Sequence, residues 1–566
     1  MSGNSEVPLP QWGVYMREVY LAGNGPQPLG TVVFEEIEKK AIEKLKHSPG
    51  AFLYSGGSAG TWSTYTGNTI AMNKFRIIPR MLVPCNNRDL RVTLFGVTYP
   101  SPILLGPVGV QGIFTEEGEI APARAAAKLG IPFIMSSAAT RSIEQVAEAS
   151  GNGPRWYQLY WPSHLDVTLS ILKRAKENGF TALVLTLDTM FIGWRPHDLE
   201  TSYLPFGHGF GTQVGSSDPA FMARLGKKPN QNIPEFPYDA VAKQKLLVEG
   251  DPKAKESAQL GYGWLQEAAF GDYRAWEDLK PLQENWDGPL ILKGIQHVED
   301  AEKAVDVGVD GIIVSNHGGR QLDGAIPSIY ALESIMKSEK VKAAQKSGKF
   351  TVMFDSGIRT GPDVIKAMAL GAQAVLLGRP WVYAAAVAGQ AGIEQMIKII
   401  NADLDISLAQ AGLKGVADVV GRSDILTKAS SAAGLPSSLT MWIFFVFGYL
   451  SLPSHCASLP MQARDMSQGS DTPVNHQVVT AIIVALFICV PAVIAFIWIS
   501  CRRTPAAART RPGNVHQSEI RTWTGSASAS NATLPLYELG PKPPEYPPAP
   551  PAYEIPTTPL PAHVRT

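Results

Sequence analysis

The sequence predicts a (β/α)8 TIM barrel, and two observations carry this prediction. The first is that short apolar runs alternate with Ala-rich amphipathic stretches between about residues 100 and 380, which is typical of βα units around a parallel sheet. Eight such runs are present, at 103–106, 133–136, 156–159, 182–186, 290–293, 311–315, 351–355 and 374–378. Eight parallel strands close a barrel, and a doubly wound open sheet is the alternative.

The second observation is that polar side chains recur where the apolar runs end. They are Ser136, Gln158, Tyr160, Thr186, Asp188, Lys293, Ser315, His317, Asp355, Arg359 and Arg379. Strands buried on both faces are otherwise apolar, and barrel enzymes build their sites at the carboxyl ends of the strands. One rim of the barrel is therefore predicted to be the working face.

The most specific segment, residues 315–324, reads S-N-H-G-G-R-Q-L-D-G and follows the sixth apolar run directly. It places His317 and Arg320 at the end of a buried strand, on glycines that permit close backbone approach. A base beside a guanidinium suits chemistry on a small carboxylic acid. Asp188 can orient the His317 ring across the barrel mouth, or it can cap the following turn. Arg195 is either a second carboxylate ligand or a surface arginine.

The barrel rim also carries signs of a phosphorylated ligand. Gly357, Arg359, Gly378 and Arg379 follow the seventh and eighth runs, where barrels commonly grip a phosphate, although two tight turns are the alternative. Lys293 ends a buried strand and needs a negative partner, either a reduced flavin ring or a neighbouring carboxylate. The neutral side chains of Ser136, Gln158 and Thr186 can bind a flavin edge or simply close strand ends.

About a hundred residues separate the fourth and fifth runs and are rich in Gly, Pro and aromatic residues. A connection of this length between the fourth strand and the fourth helix predicts a long lid insertion over the site rather than a plain surface loop.

Composition narrows the class of protein further. Fifty Lys and Arg residues balance fifty Asp and Glu residues, so nothing favours binding of nucleic acid. The four cysteines, Cys85, Cys456, Cys489 and Cys501, have no CxxC spacing, so neither a disulfide framework nor a zinc site is predicted. No signal peptide is visible at the N-terminus, and the first domain is expected to be made in the cytosol.

The composition changes after about residue 428, and four regions are predicted. Residues 1–428 form the barrel domain, and residues 429–477 form a linker with a short apolar segment at 439–452. Residues 478–500 carry no charge and are followed by Arg502 and Arg503, which predicts a single transmembrane helix with a cytosolic C-terminus. Residues 501–566 are rich in Pro, Ala, Ser and Thr and are predicted to be disordered.

The tail suggests a rival function. Two PPxY patterns end at Tyr546 and Tyr553, and they resemble ligands of WW domains, which dock a preformed polyproline helix. The alternative function is therefore a membrane-anchored adaptor that recruits WW-domain partners. A third possibility is an artefactual fusion, since Met441 can begin a separate small membrane protein. The chain is predicted to be a single-pass membrane protein as written, and its enzyme domain to be cytoplasmic if the C-terminal part belongs to another gene.

Several separated motifs in the same order make the chain resemble the FMN-dependent α-hydroxy acid dehydrogenase and oxidase family, and most closely the lactate 2-monooxygenases. The resemblance covers roughly residues 11–425 and rests on residues 185–199, 291–297, the His317 segment and residues 354–360. It implies a (β/α)8 barrel, usually in homotetramers, that oxidises a small L-2-hydroxy acid such as lactate with FMN. It also implies dioxygen as the acceptor, with or without oxidative decarboxylation.

The resemblance assigns roles residue by residue. His317 resembles the base that removes the substrate proton, with Asp188 as its partner, and Tyr160 contacts the hydroxyl or oxo oxygen. Arg195, Arg320 and Tyr54 bind the substrate carboxylate. The residues assigned to FMN are Lys293 near N1; Ser136, Gln158 and Thr186 at the ring; Ser315 at the same rim; Asp355, Gly357, Arg359, Gly378 and Arg379 at the ribityl phosphate; and Pro107, Val108 and Gly109, whose backbone passes beside the ring. Ala138 stands where glycolate oxidases carry a bulky aromatic residue, which predicts a wider or rearranged pocket.

Overall fold

A closed barrel of eight parallel strands organises the described part of the chain. The structure is a computed structural model and describes residues 11–269 and 273–429. The barrel strands are Ile103–Leu105, Phe133–Ser136, Arg155–Leu159, Leu183–Thr186, Leu290–Ile295, Gly311–Val314, Thr351–Phe354 and Ala374–Leu377. The last strand pairs with the first through Val375 and Ile103, which closes the cylinder. All eight predicted runs are thus confirmed, and the doubly wound open sheet is excluded.

Side-chain alternation along the strands separates the barrel interior from its outer layer. One set of buried apolar residues fills the interior, including Leu104, Ile134, Trp156, Val184, Ile291, Ile313, Met353 and Leu376. The intervening residues, such as Leu105, Phe133, Leu185 and Val352, belong to the larger core shared with the surrounding helices. Because successive side chains point to opposite faces of a strand, the residues two positions after the interior set face inward at the next level.

A short antiparallel hairpin packs on the start of the barrel. Its strands are Val92–Leu94 and Val97–Tyr99, and its residues Leu94 and Tyr99 join the interior core. The rings of Phe95 and Tyr99 meet Trp156 edge-on, at centroid distances of 5.7 and 6.4 Å. Trp156 lies near the beginning of its strand, so this hairpin covers the end of the barrel opposite the predicted working rim.

Helices surround the barrel, and further helices precede its first strand and follow its last strand in the chain. Before the lid they are Val14–Ala22, Phe34–Lys44, Pro49–Gly56, Ser63–Lys74, Ile120–Leu129, Ile143–Ser150 and Leu165–Glu177. After the lid they are Val298–Asp306, Ser328–Ile335, Glu339–Lys346, Gly361–Ala369 and Arg379–Ala411. The last of these breaks at Ala388 and Gly389, where the backbone leaves helical geometry. The strand Leu426–Lys428 pairs antiparallel with Phe75–Ile77, which ties the end of the domain to its beginning.

The predicted insertion contains helices of its own. They are Pro196–Glu200, Gln213–Ser216, Pro219–Arg224, Ala240–Glu249, Pro252–Ala268 and Lys280–Asn285. Three of these helices begin after an aspartate, Asp218, Asp239 or Asp251, whose carboxylate accepts backbone N–H bonds in the first turn. Caps of this kind satisfy backbone N–H groups of the first turn that have no partner within the helix.

The predictions for the C-terminal part of the chain fall on residues that the structure does not describe. Apart from Ala429 at its start, the linker lies outside the described residues, and so do the span at 478–500, the tail predicted to be disordered at 501–566 and its two PPxY motifs. Within residues 11–269 and 273–429, no helix combines the length and the apolar character that crossing a bilayer requires.

Candidate active site

A polar layer lies directly above the apolar barrel interior, on the inward face of the strands. Ser136, Gln158, Thr186, Lys293, Ser315 and Asp355 each follow an interior apolar residue by two positions. The layer is internally bonded: Ser136 Oγ donates to Gln158 Oε1 at 3.0 Å, and Lys293 Nζ donates to Ser315 Oγ at 3.0 Å. Strand periodicity therefore converts the polar residues at the strand ends into the floor of a site.

Lys293 is buried among carboxylates. Its Nζ lies 3.3 Å from Oδ2 of Asp355 and 4.0 Å from Oδ2 of Asp188. Burial alone would lower the pKa of Lys293, but the charges of Asp355 and Asp188 raise it above its ordinary value. Of the two partners that the sequence left open, the carboxylate is present in the structure.

His317 and Asp188 form a hydrogen-bonded pair at the barrel mouth. The Nδ1 atom of His317 lies 2.8 Å from Oδ1 of Asp188, and Thr189 Oγ1 donates to the same oxygen at 2.9 Å. Burial lowers the pKa of His317 and outweighs the raising effect of Asp188. Burial would raise the pKa of Asp188, but the charges of His317 and Lys293 lower it overall. The pair therefore consists of a neutral imidazole beside an ionised carboxylate at neutral pH.

The backbone at His317 is unusual for a residue other than glycine. Its φ is +56°, and Gly318 and Gly319 continue with φ values of +63° and +77°. The backbone N–H of His317 donates to Ser315 Oγ at 3.0 Å, which anchors the turn to the polar layer. Left-handed geometry of this kind accumulates at functional sites, where the surrounding contacts hold it.

Two guanidinium groups lie beside this pair. Arg195 donates from Nε to the backbone carbonyl of Arg320 at 3.1 Å, and Arg195 is only 7% exposed, so it is not a surface arginine. Arg320 donates from Nη1 to the carbonyls of Ser55 and Gly57, at 3.2 and 3.3 Å. Its guanidinium carbon also lies 5.6 Å from the ring centre of Tyr54.

This cluster carries more positive than negative charge. Burial, together with Arg195 and Arg379, lowers the pKa of Arg320 to about 9. Asp198 contributes a carboxylate, with Oδ2 at 3.9 Å from Arg195 Nη1, and burial raises the pKa of Asp198 to about 6. Because buried cations without full compensation are unfavourable, the cluster is suited to receive an anion such as a carboxylate.

Two tyrosines complete this side of the site. Burial raises the pKa of Tyr54 to about 12, despite the opposing charges of Arg195 and Arg320. Burial and the charge of Asp188 raise the pKa of Tyr160 as well. Both phenols therefore remain protonated at neutral pH and can donate hydrogen bonds.

These groups open onto one cavity of 550 Å³. The predicted site residues that line it are Tyr54, Pro107, Val108, Gly109, Tyr160, Arg195, Lys293, His317, Arg320, Asp355, Gly357, Arg359, Gly378 and Arg379. Asp188, Ser136, Gln158, Thr186 and Ser315 lie in the layer just behind it. The predicted insertion covers the cavity with residues between Thr189 and Phe206 and with the helix end from Tyr262 to Ala269. The cavity lies in the volume range typical of small-molecule and cofactor sites.

The polar layer has unmet hydrogen-bonding capacity that fits a flavin ring. Gln158 Nε2, Thr186 Oγ1 and Asp188 Oδ2 are buried and have no hydrogen-bond partner within the described residues. An amide N–H group and a hydroxyl in this layer, directly behind the cavity, match the alternating acceptors and donor on the polar edge of an isoalloxazine. At Gly109 a Cβ would stand 2.7 Å from the Cβ of Ala138, so only glycine lets the backbone pass this close to Ala138 in the cavity wall.

The opposite end of the cavity fits the phosphate of such a cofactor in part. Gly357 has a φ of +107°, which a side chain would strain, and a Cβ at Gly378 would meet nothing within 4 Å, so the space beside Gly378 at the start of the helix Arg379–Ala411 is open. Arg359 stacks on Phe34, with its guanidinium carbon 4.3 Å from the ring centre. The guanidinium of Arg379 donates to the carbonyls of Ser55, Gly57 and Gly318, at 3.1, 2.9 and 2.9 Å.

Several site residues were missed by the sequence analysis. Thr189 and Gln321 bond to the His317 and Asp188 segments, Asp198 enters the arginine cluster, and Tyr65 stacks on Arg379. Gln321 stood inside the most specific motif, and Asp198 follows Arg195 by three positions at a helix start. These positions could have drawn attention to Gln321 and Asp198. However, a glutamine or an aspartate does not indicate a role in an active site until its neighbours in space are known.

Comparisons with known proteins agree with this geometry. The family described as FMN-dependent dehydrogenase matches residues 43–427. The FMN-dependent alpha-hydroxy acid dehydrogenase qulF of Penicillium citrinum is 41% identical over 414 residues, covering 73% of this chain and 95% of that protein. L-lactate oxidase of Lysinibacillus sphaericus is 38% identical over 385 residues, covering 68% and 90%. The crystal structure of mandelate oxidase aligns with a TM-score of 0.55 and 32% identity, over 70% of this chain and 98% of that one.

Proposed function

This chain belongs to the FMN-dependent α-hydroxy acid dehydrogenase and oxidase family, and we propose that it oxidises a small L-2-hydroxy acid of the lactate type to the 2-oxo acid with dioxygen as acceptor. Membership of this family implies that FMN is the cofactor. The observation that carries the proposal is the His317–Asp188 pair, 2.8 Å apart, beside two buried arginines on one cavity. A neutral base and an anion site side by side suit a substrate that carries a hydroxyl next to a carboxylate.

The substrate carboxylate binds between Arg195 and Arg320. In the described residues Arg195 uses Nε and Nη2 for hydrogen bonds and Arg320 uses Nη1, which leaves further N–H groups of each guanidinium for a carboxylate, and the Tyr54 phenol adds another donor. Charge-assisted bonds in a buried site fix the acid in one orientation. This orientation presents the C2 hydroxyl to Tyr160 and to His317.

His317 acts as the base. Its Nδ1 faces Asp188, which leaves Nε2 to take the substrate proton. Asp188 then stabilises the imidazolium that forms, as an ionised carboxylate beside a catalytic histidine does in other enzymes. FMN, when bound, supplies an acceptor for two electrons.

The polar layer and the glycine-rich end of the cavity would hold the cofactor. Gln158, Ser136 and Thr186 would meet the polar edge of the ring, and Lys293 with Ser315 would favour negative charge there. The backbone of Pro107, Val108 and Gly109 would support the ring face. Gly357, Arg359, Gly378 and Arg379 would receive the phosphate, whereas the Asp355 carboxylate would repel a phosphate and suits the ribityl hydroxyls.

The lid decides between two outcomes. The two electrons and two protons that the 2-hydroxy acid loses reduce dioxygen to hydrogen peroxide. If the residues of the lid retain the 2-oxo acid, peroxide decarboxylates it to the shorter acid, carbon dioxide and water, and the enzyme is a monooxygenase. If the 2-oxo acid leaves first, the enzyme is a simple oxidase. The match to L-lactate oxidase supports a lactate-like substrate, and the wall of Ala138 and lid residues leaves room for a larger one.

Four further predictions concern assembly and the C-terminal part. A homotetramer remains a prediction from the family resemblance. The membrane span, the WW-domain partners of the PPxY motifs and the fusion of two genes remain predictions from the sequence. A continuous transcript across residues 420–445 is expected if one polypeptide carries both parts, and its absence would remove the anchored enzyme.

The proposal is tested with the purified full chain reconstituted with FMN. L-lactate or a related 2-hydroxy acid is expected to bleach the flavin absorbance under anaerobic conditions. His317→Ala is expected to retain the yellow colour and to lose bleaching by roughly two to four orders of magnitude, the size of a lost general base. Acetate as the product indicates the monooxygenase, and pyruvate with peroxide indicates the oxidase. A colourless protein, or one that no 2-hydroxy acid bleaches, contradicts the proposal.

A further inference from the structure

Two rim segments supply the reacting side chains in pairs. The segment after the fourth barrel strand contributes Asp188 and Arg195, and the segment after the sixth contributes His317 and Arg320. Two contacts connect one segment to the other. His317 lies 2.8 Å from Asp188, and Arg195 Nε donates to the Arg320 carbonyl at 3.1 Å. The geometry of both pairs therefore depends on how the two segments sit against each other.

One side-chain amide bridges these segments with all four of its hydrogen bonds. Gln321 Nε2 donates to the carbonyls of Asp188 and Phe191, both at 2.9 Å. Gln321 Oε1 accepts from the backbone N–H of Gly193 at 3.2 Å and from Arg195 Nη2 at 3.0 Å. Two carbonyls on one side and two donors on the other fix the orientation of the amide and use its full capacity.

We propose that Gln321 is a positioning residue, which holds Arg195 in the substrate-binding orientation and the Asp188 segment in register with His317. This inference rests on the proposed function. The Gln321 bond and the Arg320 carbonyl hold two of the five guanidinium N–H groups of Arg195, so the rest are aimed by this clamp. The bond from Gln321 Nε2 to the Asp188 carbonyl holds the backbone there, and this sets where the Asp188 carboxylate meets the His317 imidazole.

A second anchor holds the same segment through contacts that do not involve Gln321. Asp323 accepts bonds from Thr61 through N and Oγ1, at 2.6 and 2.7 Å, and from the backbone N–H of Thr64 at 3.2 Å. These contacts tie the end of the segment to the helix Ser63–Lys74 on the other side. Loss of the Gln321 amide therefore loosens the two catalytic pairs while the segment stays attached.

The test compares Gln321→Met with the wild-type full chain, both reconstituted with FMN. Methionine has similar length and removes all four bonds. The probe is 2-hydroxy-2-methylpropanoate, which has no hydrogen on C2 and cannot be oxidised, and its Kd is measured from the change in flavin absorbance. We expect a Kd at least about tenfold weaker and anaerobic bleaching by L-lactate roughly 10- to 100-fold slower, with FMN content unchanged and the melting temperature only slightly lowered by the unpaired polar groups. The matched control is Gln283→Met, which removes an exposed amide that bonds the Val307 carbonyl outside the site.

Gln321→Glu provides an independent signature and a second variant should Gln321→Met fail to fold. Glutamate keeps an oxygen that can accept from Gly193 and Arg195. Its second oxygen faces the carbonyls of Asp188 and Phe191, to which it cannot donate while it is ionised. Protonation of the glutamate restores one donor. We therefore expect Gln321→Glu to recover probe affinity as the pH falls, relative to wild type. Probe affinity and bleaching within twofold of wild type in both variants overturn the inference. If wild type binds the probe but no 2-hydroxy acid bleaches it, the proposed function fails while the probe still tests Gln321.

Discussion

The Nδ1 atom of His317 lies 2.8 Å from Oδ1 of Asp188, although the two residues follow different barrel strands. Because the pKa of Asp188 is lowered, the carboxylate is ionised and holds the proton of the neutral imidazole on Nδ1. The Nε2 lone pair is then left for the substrate. The pair thus sets both the tautomer and the direction of the base.

Asp188→Asn is expected to slow flavin bleaching by roughly 10³- to 10⁴-fold, the size seen when an asparagine holds a catalytic histidine in the wrong tautomer. FMN content should not change, because Lys293 keeps Asp355 as its partner at 3.3 Å. Stopped-flow absorbance under anaerobic conditions measures the rate. Asp424→Asn, at an exposed ion pair, serves as the control. A loss of less than tenfold would show that Asp188 only shapes the turn.

The barrel and most of the site could be predicted because both follow from strand periodicity. Buried parallel strands read as short apolar runs, and the inward polar layer comes two residues after the interior core. Lys293 illustrates the limit of that reasoning. Its position required a negative partner, but that partner is Asp355, which directly follows another barrel strand about sixty residues further along the chain.

The rest of the site depends on contacts that no local pattern encodes. The role of Gln321 rests on two carbonyls and two donors of another segment, and an amide can make such bonds anywhere on a surface. The helix Pro252–Ala268 begins at its Asp251 cap within the insertion, and only its packing over the cavity shows that it lines the site. Asp198 likewise gains meaning only from Arg195 and Arg320.

Arg320→Lys is expected to weaken substrate binding more than it slows the chemical step. Lysine keeps the charge but loses the planar fork that can bond a carboxylate twice and the contacts to the Ser55 and Gly57 carbonyls. The Kd of 2-hydroxy-2-methylpropanoate should rise roughly 10- to 100-fold. Flavin absorbance titration measures this Kd. Arg422→Lys, at an exposed pair with Asp424, should leave it unchanged. An unchanged Kd in Arg320→Lys would place the carboxylate elsewhere.

Binding of an anionic ligand is expected to tighten as the pH falls through about 6. The pKa of Asp198 is raised to about 6 by burial, so this carboxylate becomes neutral in that range while Arg320, with its pKa lowered to about 9, stays charged. His197, at 3.3 Å from Asp198, has its pKa lowered to about 4 and remains neutral throughout, as does Tyr54, with its pKa near 12. The Kd of the same inert acid should fall roughly three- to tenfold from pH 8 to pH 5.5.

Asp198→Asn separates this effect from other titrations. It should bind the inert acid at pH 8 as tightly as wild type does at pH 5.5, and its Kd should change little between the two values. The rate of bleaching should still fall at acid pH in both proteins, because His317 must be neutral to accept a proton and its pKa lies below the ordinary value. A variant that keeps the wild-type pH dependence of Kd contradicts the assignment to Asp198.

Lys293→Met is expected to destabilise the protein, because it leaves Asp188 and Asp355 buried together without their shared cation. Breaking a buried ion pair by removing one partner costs about 3–5 kcal/mol. The loss should be greater at pH 8 than at pH 5, since the like charges raise the pKa of the carboxylates and protonation relieves their repulsion. Thermal unfolding followed by circular dichroism measures the loss of stability.

The double variant with Asp355→Asn should recover most of the stability that Lys293→Met loses, and Lys340→Met, at the exposed pair with Asp306, should change little. If the double variant is no more stable than Lys293→Met, the interaction between Lys293 and Asp355 does not stabilise the polar layer.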